Sequence, residues 1–252
     1  MINKETLIEK IDATSMYYRD LNTKLRSAVL NGTQRIELHN VLGQRYIGTN
    51  LDKPVELELF GTPGNDLGAF MNGPKIIVHG NVQDGCGNTM DNGEIIVHGR
   101  AGDIVGLSTR GGKIFIKEDV GYRAGIHMKE YQDKKPVIVI GGTAQDFLGE
   151  YMAGGILVLL GLNLKETGQY KAKFIGTGMH NGIIYLRGHI EDYQLGKEVG
   201  VAELSEEDYK VLTQLVGEFA THFNYDTQAI MRHKFIKLFP LWLRPYGNLY
   251  AY

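Results

Sequence analysis

The sequence predicts an all-β core wound as a single-stranded parallel β-solenoid of about eight coils, with α-helices flanking it at both ends. Three observations support this fold class: short apolar segments recur with a period near 19 residues, apolar residues alternate within each segment, and glycine recurs between segments. Helical repeats need roughly 33 to 45 residues and propeller blades about 40 to 45. The period therefore fits one turn of a β-solenoid.

The repeated element is a short strand. The aligned segments are 36–40, 57–61, 76–80, 95–99, 114–118, 137–141, 157–161 and 184–188. Their first and third positions are Ile, Leu or Val, which places those residues on one side of a strand whose side chains alternate. One such strand cannot bury its apolar face alone, so we expect stacked copies to share a core.

Glycine marks a corner in each coil. The column comprises Gly48, Gly68, Gly87, Gly106, Gly125, Gly149 and Gly176. Glycine at one place in every repeat indicates backbone with positive φ or a close approach of two backbones. We interpret these residues as structural.

The two ends of the chain have a helical period. Residues 14–31 are predicted to form a helix with Ser15 as N-cap, and a second helix is expected to open at Ser205 and to run to Phe223. A third segment, 227–239, ends at Pro240. The predicted organisation is an N-terminal helical segment (1–32), the β-helix (33–202) and a C-terminal helical segment (203–252) packed on it as one structural unit.

Composition limits the functional classes. The net charge is −2, so electrostatics give no reason to expect nucleic acid or an acidic membrane as a partner. The N-terminal residues do not resemble a secretion signal, and no apolar run approaches the ~18 residues of a membrane span, so we expect a cytoplasmic protein. Cys86 is the only cysteine, which excludes an intrachain disulfide and any iron–sulfur cluster held by this chain alone.

Several segments together resemble a known family. They are Gly43-Gln-Arg-Tyr-Ile-Gly-Thr-Asn-Leu51, Gly99-Arg-Ala-Gly-Asp-Ile-Val-Gly106, Asp146-Phe-Leu-Gly-Glu-Tyr-Met-Ala-Gly-Gly155, Gly176-Thr-Gly-Met-His-Asn-Gly-Ile-Ile-Tyr185 and Phe235-Ile-Lys-Leu-Phe-Pro240. They look like the C-terminal GXGXG domain of the glutamate synthase large subunit, over nearly the whole chain. The resemblance implies a right-handed parallel β-helix that acts as a scaffold between glutaminase and FMN-binding synthase domains. A related domain is a subunit of formylmethanofuran dehydrogenase.

The resemblance also implies separate partner chains. The family's glutaminase half uses an N-terminal cysteine nucleophile, but position 2 here is Ile2 and Cys86 lies inside a coil. We therefore expect no catalytic residue, cofactor or metal in this chain, which would be the scaffold subunit of a split glutamate synthase-like oxidoreductase. Its expected partners are an FMN and iron–sulfur synthase chain and a class II amidotransferase chain.

A few residues could instead belong to a metal site, a reactive thiol or a phosphate-binding loop. His79 and His98 occupy equivalent places in adjacent coils and are weak candidates for metal ligands, but no carboxylate or thiol continues their column. Cys86, flanked by two glycines, could be an exposed thiol, although an inward-facing apolar thiol is the more common arrangement. The glycine-rich segments do not lead into helices, which argues against a phosphate loop.

An apolar stripe is predicted on the outside of the solenoid. It comprises Ile77, Ile96, Phe115, Ile138, Val158 and Tyr185, at the second position of six consecutive strands. Such a stripe must be covered, either by the chain's own helices or by another subunit. The long intervals 122–135 and 162–173 are the expected protruding loops.

Two alternatives to the scaffold of a glutamate synthase remain open at this stage. One is a subunit of a formylmethanofuran dehydrogenase-like complex. The other is a free-standing β-helix enzyme acting on an extended polymer, which would be expected to carry a secretion signal and a groove of clustered carboxylates or arginines.

Overall fold

In the computed structural model, residues 8–165 and 168–242 are described, and they form one long sheet with helices packed on it. The solenoid strands are β2 (Arg35–Leu42), β3 (Glu56–Thr62), β4 (Asn72–His79), β5 (Asn92–Val97), β6 (Lys113–Ile116), β7 (Val137–Ile140), β8 (Ala153–Leu159) and β9 (Asn181–Arg187). The flanking elements are β1 (Ile8–Asp12), α1 (Tyr18–Leu30), β10 (Val199–Ala202), α2 (Glu206–Phe223), α3 (Thr227–Met231) and β11 (Phe235–Pro240).

The sheet confirms the predicted fold class. Strands β1 to β9 pair with their sequence neighbours in parallel, so each strand belongs to one turn of the winding. The solenoid has about six turns, slightly fewer than the about eight coils expected.

The inner core is a column of aliphatic side chains contributed once per strand. Its members are fully buried: Ile36, Leu57, Ile76, Ile95, Ile114, Ile138, Leu157 and Ile184. The alternation of apolar residues therefore predicted the inward face in seven of these eight strands.

The register of β7 differs from the prediction. Ile114 pairs with Ile138 and not with Val137, so Ile138 points into the inner core and Val139 takes the outward position. The assignment of Ile138 to the outward stripe was wrong. All four residues of β7 are apolar, and a uniformly apolar strand gives no alternation from which to read its register.

The N-terminal segment is not purely helical. Strand β1 pairs in parallel with β2, and α1 begins at Tyr18, while Ser15 has a φ of 57° and does not cap the helix. Residues 1–7 of the predicted N-terminal segment and residues 243–252 of the predicted C-terminal segment lie outside the described residues.

The C-terminal segment contains one confirmed helix and one corrected element. The Ser205 side chain accepts a hydrogen bond from the backbone N–H of Asp208, which caps α2 as expected. The segment 227–239, however, is helical only in α3, and β11 pairs antiparallel with both β9 and β10. Ile236 and Leu238, two positions apart, are both buried in the inner core. This alternation is typical of a strand and not of a helix.

Helix α2 covers the outward stripe. The buried side chains between sheet and helix include Ile96, Phe115, Val139, Val158 and Tyr185 from the sheet and Leu212, Leu215, Val216, Phe219 and Phe223 from α2. The hypothesis that another subunit covers this stripe is therefore wrong, because the chain's own helix buries it. No helix within the described ranges is long and apolar enough to cross a membrane.

Candidate functional site

The corners of the solenoid have an unusual and regular backbone. In each of seven corners, three residues at alternate positions have φ between 51° and 75°. The middle residues are the predicted glycine column, and the outer two positions hold mostly other residue types, among them Tyr46, Phe70, Arg123 and Tyr151. Positive φ is uncommon for residues with side chains and costs roughly 1–2 kcal/mol each.

The middle position requires glycine for a second reason. A Cβ at Gly106 would lie 2.3 Å from Cδ1 of Ile138, and a Cβ at Gly87 would lie 2.3 Å from Cδ1 of Ile114. The corner backbone thus packs directly on the inner core. The side chains of the outer positions Phe70, Tyr151 and Phe174, in contrast, are about half exposed.

Five of these outer residues form a surface that we call the corner ridge: Arg123, His127, Phe147, Tyr151 and Phe174. The rings of Phe147 and Phe174 stack with centroids 4.9 Å apart, and Cζ of Arg123 lies 4.5 Å from the Phe147 centroid. His127 stacks on Tyr151 at 5.4 Å. Tyr151 is 48% exposed and Phe174 is 47% exposed, so the ridge presents aromatic area to solvent.

The backbone beneath the corner ridge is tied from coil to coil. The N–H groups of Arg123, Phe147 and Tyr151 donate to carbonyls of the next corner over 2.8–3.0 Å. The Asp146 carboxylate accepts a hydrogen bond from the backbone N–H of Lys173 at 2.8 Å, and Glu150 forms an ion pair with Arg123. These contacts leave the ridge side chains to face outward from a hydrogen-bonded frame.

A second feature is a ladder of rings on the outer face of the sheet, made by His39, Phe60, His79 and His98. Successive centroids are 4.7, 4.7 and 5.1 Å apart, and the planes are within 20° of parallel. Imidazole lone pairs lie in the ring plane, so the stacked rings of His79 and His98 do not direct nitrogens at one ion. Nε2 of His79 is instead 2.7 Å from the Glu58 carboxylate. Among the described residues, no group of three or more His, Cys, Asp or Glu could hold a metal.

The other candidate reactive residue lies in the interior. Cys86 is fully buried at the inside of a corner, and burial raises the pKa of its thiol to about 12. Since the thiolate is the reactive form, Cys86 is an inert core residue near neutral pH.

A buried polar cluster fastens α2 to the sheet. The hydroxyl of Tyr185, on β9, donates to the Asp208 carboxylate at 2.7 Å, and Nζ of Lys237, on β11, lies 2.8 and 3.0 Å from the two carboxylate oxygens. Burial acts to raise the pKa of Asp208, but hydrogen bonds from Lys237, Tyr185 and Ser205 lower it overall. Burial and this hydrogen bond raise the pKa of Tyr185. Tyr185, predicted as an interface residue, is therefore an internal anchor.

Sequence reasoning did not identify the corner ridge. A signal was present, because Phe147, Tyr151 and Phe174 each stand two residues from a member of the glycine column. This signal could not be interpreted from the sequence, because only the structure shows that three alternate residues of each corner, and not glycine alone, adopt positive φ.

Comparison with known proteins gives two matches that run along nearly the whole chain. A family model described as the GXGXG motif matches residues 4–243. The chain is also 51% identical over 249 residues to a protein of Methanocaldococcus jannaschii, described as uncharacterized protein MJ1350, with 96% of this chain and 95% of that protein covered. Both matches contain every solenoid strand and α2.

Proposed function

Since the chain belongs to the GXGXG motif family, that of the C-terminal domain of glutamate synthase, we propose that it is the non-catalytic scaffold subunit of a split glutamate synthase-like oxidoreductase. In this proposal it bridges a class II amidotransferase chain, which releases ammonia from glutamine, and an FMN and iron–sulfur synthase chain, which uses it.

The observation that carries this proposal is the corner ridge. Aromatic and arginine side chains are enriched at protein interfaces and contribute most of the binding energy there. Tyr151 and Phe174 hold exposed rings at positions where positive φ is costly for any residue but glycine. Phe147, at another such position, stacks on Phe174. A rigid rod edge that bears such side chains is suited to positioning a partner.

The surroundings of the other candidate functional side chains also support a scaffold role. The thiol of Cys86 is buried and protonated, Tyr185 and Asp208 are engaged with each other, and His79 is engaged with Glu58. The polar side chains thus serve packing and orientation, as a scaffold requires.

Reconstitution tests the proposal. The chain would be co-expressed with an FMN-binding synthase chain and an amidotransferase chain encoded by the same organism, and glutamate formed from glutamine and 2-oxoglutarate would be measured with and without it. We expect formation of a three-chain complex and glutamate production that depends on the scaffold. If the two other chains alone make glutamate at an equal rate, or if this chain alone hydrolyses glutamine, the proposal is wrong.

A matched pair of variants tests the corner ridge within that experiment. Phe147→Ser with Phe174→Ser removes the stacked pair, whereas Phe70→Ser removes an aromatic side chain that is 54% exposed at an equivalent corner position outside the ridge. We expect the double variant to weaken complex formation on size-exclusion chromatography and the Phe70 control to leave it unchanged. Equal behaviour of the two would exclude the ridge as the docking surface.

A further inference from the structure

A groove lies between α1 and the first corner of the solenoid, at the N-terminal end of the rod. Its volume is about 340 Å³, and it is lined by Tyr18, Arg19, Asn22, Thr23, Arg26, Tyr46 and Thr49. We call it the α1 groove. It does not include any residue of the corner ridge.

The walls of the α1 groove are held together by a buried amide. The side-chain nitrogen of Asn22 donates to the carbonyl of Tyr18 at 2.7 Å and to the carbonyl of Arg45 at 2.9 Å, which links the helix to the corner. Asn22 is only 8% exposed, and the rings of Tyr18 and Tyr46 lie 5.8 Å apart across this junction. The groove is therefore built from two elements in fixed relation.

The α1 groove is cationic. Arg19 and Arg26 line it and no carboxylate does, and in the described part of the chain neither Arg26 nor Arg45 forms an ion pair. Hydrogen bonds with Arg19 and Tyr17, together with the positive charges of Arg19 and Arg45, lower the pKa of the Tyr18 phenol despite opposing desolvation.

The two threonines present hydrogen-bond acceptors. The hydroxyl of Thr23 donates to the Arg19 carbonyl at 2.9 Å, and the hydroxyl of Thr49 donates to the Asp66 carbonyl at 3.3 Å. Each hydroxyl has thus used its proton, and its oxygen lone pairs remain available to a ligand that carries donors.

We propose that the α1 groove binds a small phosphorylated molecule of the nucleoside monophosphate class. The guanidinium groups of Arg19 and Arg26 match phosphate oxygens in forked geometry. The exposed face of Tyr46 offers a planar surface for a base, and Thr23 and Thr49 accept hydrogen bonds from ribose hydroxyls. This proposal is independent of the scaffold role.

Titration calorimetry of the full chain tests it with three probes: AMP, adenosine and inorganic phosphate. We expect saturable 1:1 binding of AMP and weaker binding of the other two. Arg19→Ala with Arg26→Ala should reduce the affinity for AMP about tenfold or more, since hydrogen bonds to charged groups are lost. Tyr46→Leu should weaken binding of AMP but not of phosphate.

The control is Lys24→Ala, which removes one positive charge from α1 outside the groove lining. Arg19→Lys with Arg26→Lys keeps the charge and should still weaken binding, because the forked donors are lost. Absence of saturable AMP binding by the wild type overturns the proposal. It is also overturned if Lys24→Ala weakens AMP binding as much as the arginine variants do, because the attraction would then be non-specific. All the arginine positions are exposed, and equal melting temperatures would verify that the variants fold.

Discussion

Substituting Gly106 by alanine measures how closely the corner backbone packs on the inner core. The new methyl group would meet Cδ1 of Ile138 at 2.3 Å while the residue keeps a φ of 67°. Positive φ costs an alanine about 1–2 kcal/mol, and overpacking a core costs about 1–3 kcal/mol more. We therefore expect Gly106→Ala to reduce the free energy of unfolding by about 2–5 kcal/mol.

Gly43 provides the matched control for this substitution. Its φ is 78°, but a Cβ there would have no atom within 4 Å. Gly43→Ala should therefore cost only the backbone contribution, about 1–2 kcal/mol. Urea unfolding followed by circular dichroism would compare the two variants with the wild type.

A second substitution separates steric overlap from backbone strain. Ile138→Val deletes the clashing Cδ1 and should cost about 0.5–1.5 kcal/mol alone. In the double variant the contacts nearest to the new Cβ are Oγ1 of Thr109 at 3.3 Å and Cγ1 of residue 138 at 3.4 Å. The double variant should thus lose less stability than the sum of the two single changes. Additive losses, or equal losses for Gly106→Ala and Gly43→Ala, would refute the argument that the corner rests on the core.

Two further predictions concern the attachment of α2. Lys237→Met leaves the buried Asp208 carboxylate without its cation, so it should lower the free energy of unfolding by about 1.5–3 kcal/mol in a urea titration. The control is Lys234→Met, at a side chain that is 71% exposed, which should have little effect in the same titration. Burial and nearby positive charges lower the pKa of His98, whose ring packs against Phe223 of α2 at 5.2 Å. The folded state then binds fewer protons than the unfolded state below the ordinary pKa of 6.5, so stability should be full above that pH and should fall as the pH drops below it. His98→Phe keeps the ring contact and should make the urea midpoint depend less on pH between about 7 and 5, and an unchanged pH dependence would contradict the role of His98.

The sequence was sufficient to predict the winding of the chain but not each register. The period near 19 residues and the glycine at every corner recur in many coils. An irregular coil can therefore be aligned from the pattern of its neighbours. The register of β7 is decided by pairing, since Val137 and Ile138 are equally apolar and only the contact with Ile114 distinguishes them. Strand β1 was missed because its five residues contain only two apolar side chains, at Ile8 and Ile11.

The position of α2 shows the same limit at the level of tertiary structure. The periodicity of the sequence predicted both the apolar face of α2 and the apolar stripe of the sheet. Neither pattern predicts that the helix packs on the stripe. The structure joins them through contacts between distant residues, such as Lys113 with Glu218, whose Nζ–Oε2 distance is 2.6 Å.

The proposed docking role of the corner ridge is consistent with the way the other faces of the solenoid are used. Helix α2 occupies the outward stripe, and the stacked rings of His39, Phe60, His79 and His98 cover the adjacent part of the sheet. At the corners, the backbone N–H groups bond to neighbouring coils, so a partner cannot add a strand there and must bind through side chains. Under the proposal, the exposed rings of Tyr151 and Phe174 would supply such contacts from a hydrogen-bonded frame, and pre-organised contacts lose less conformational entropy on binding.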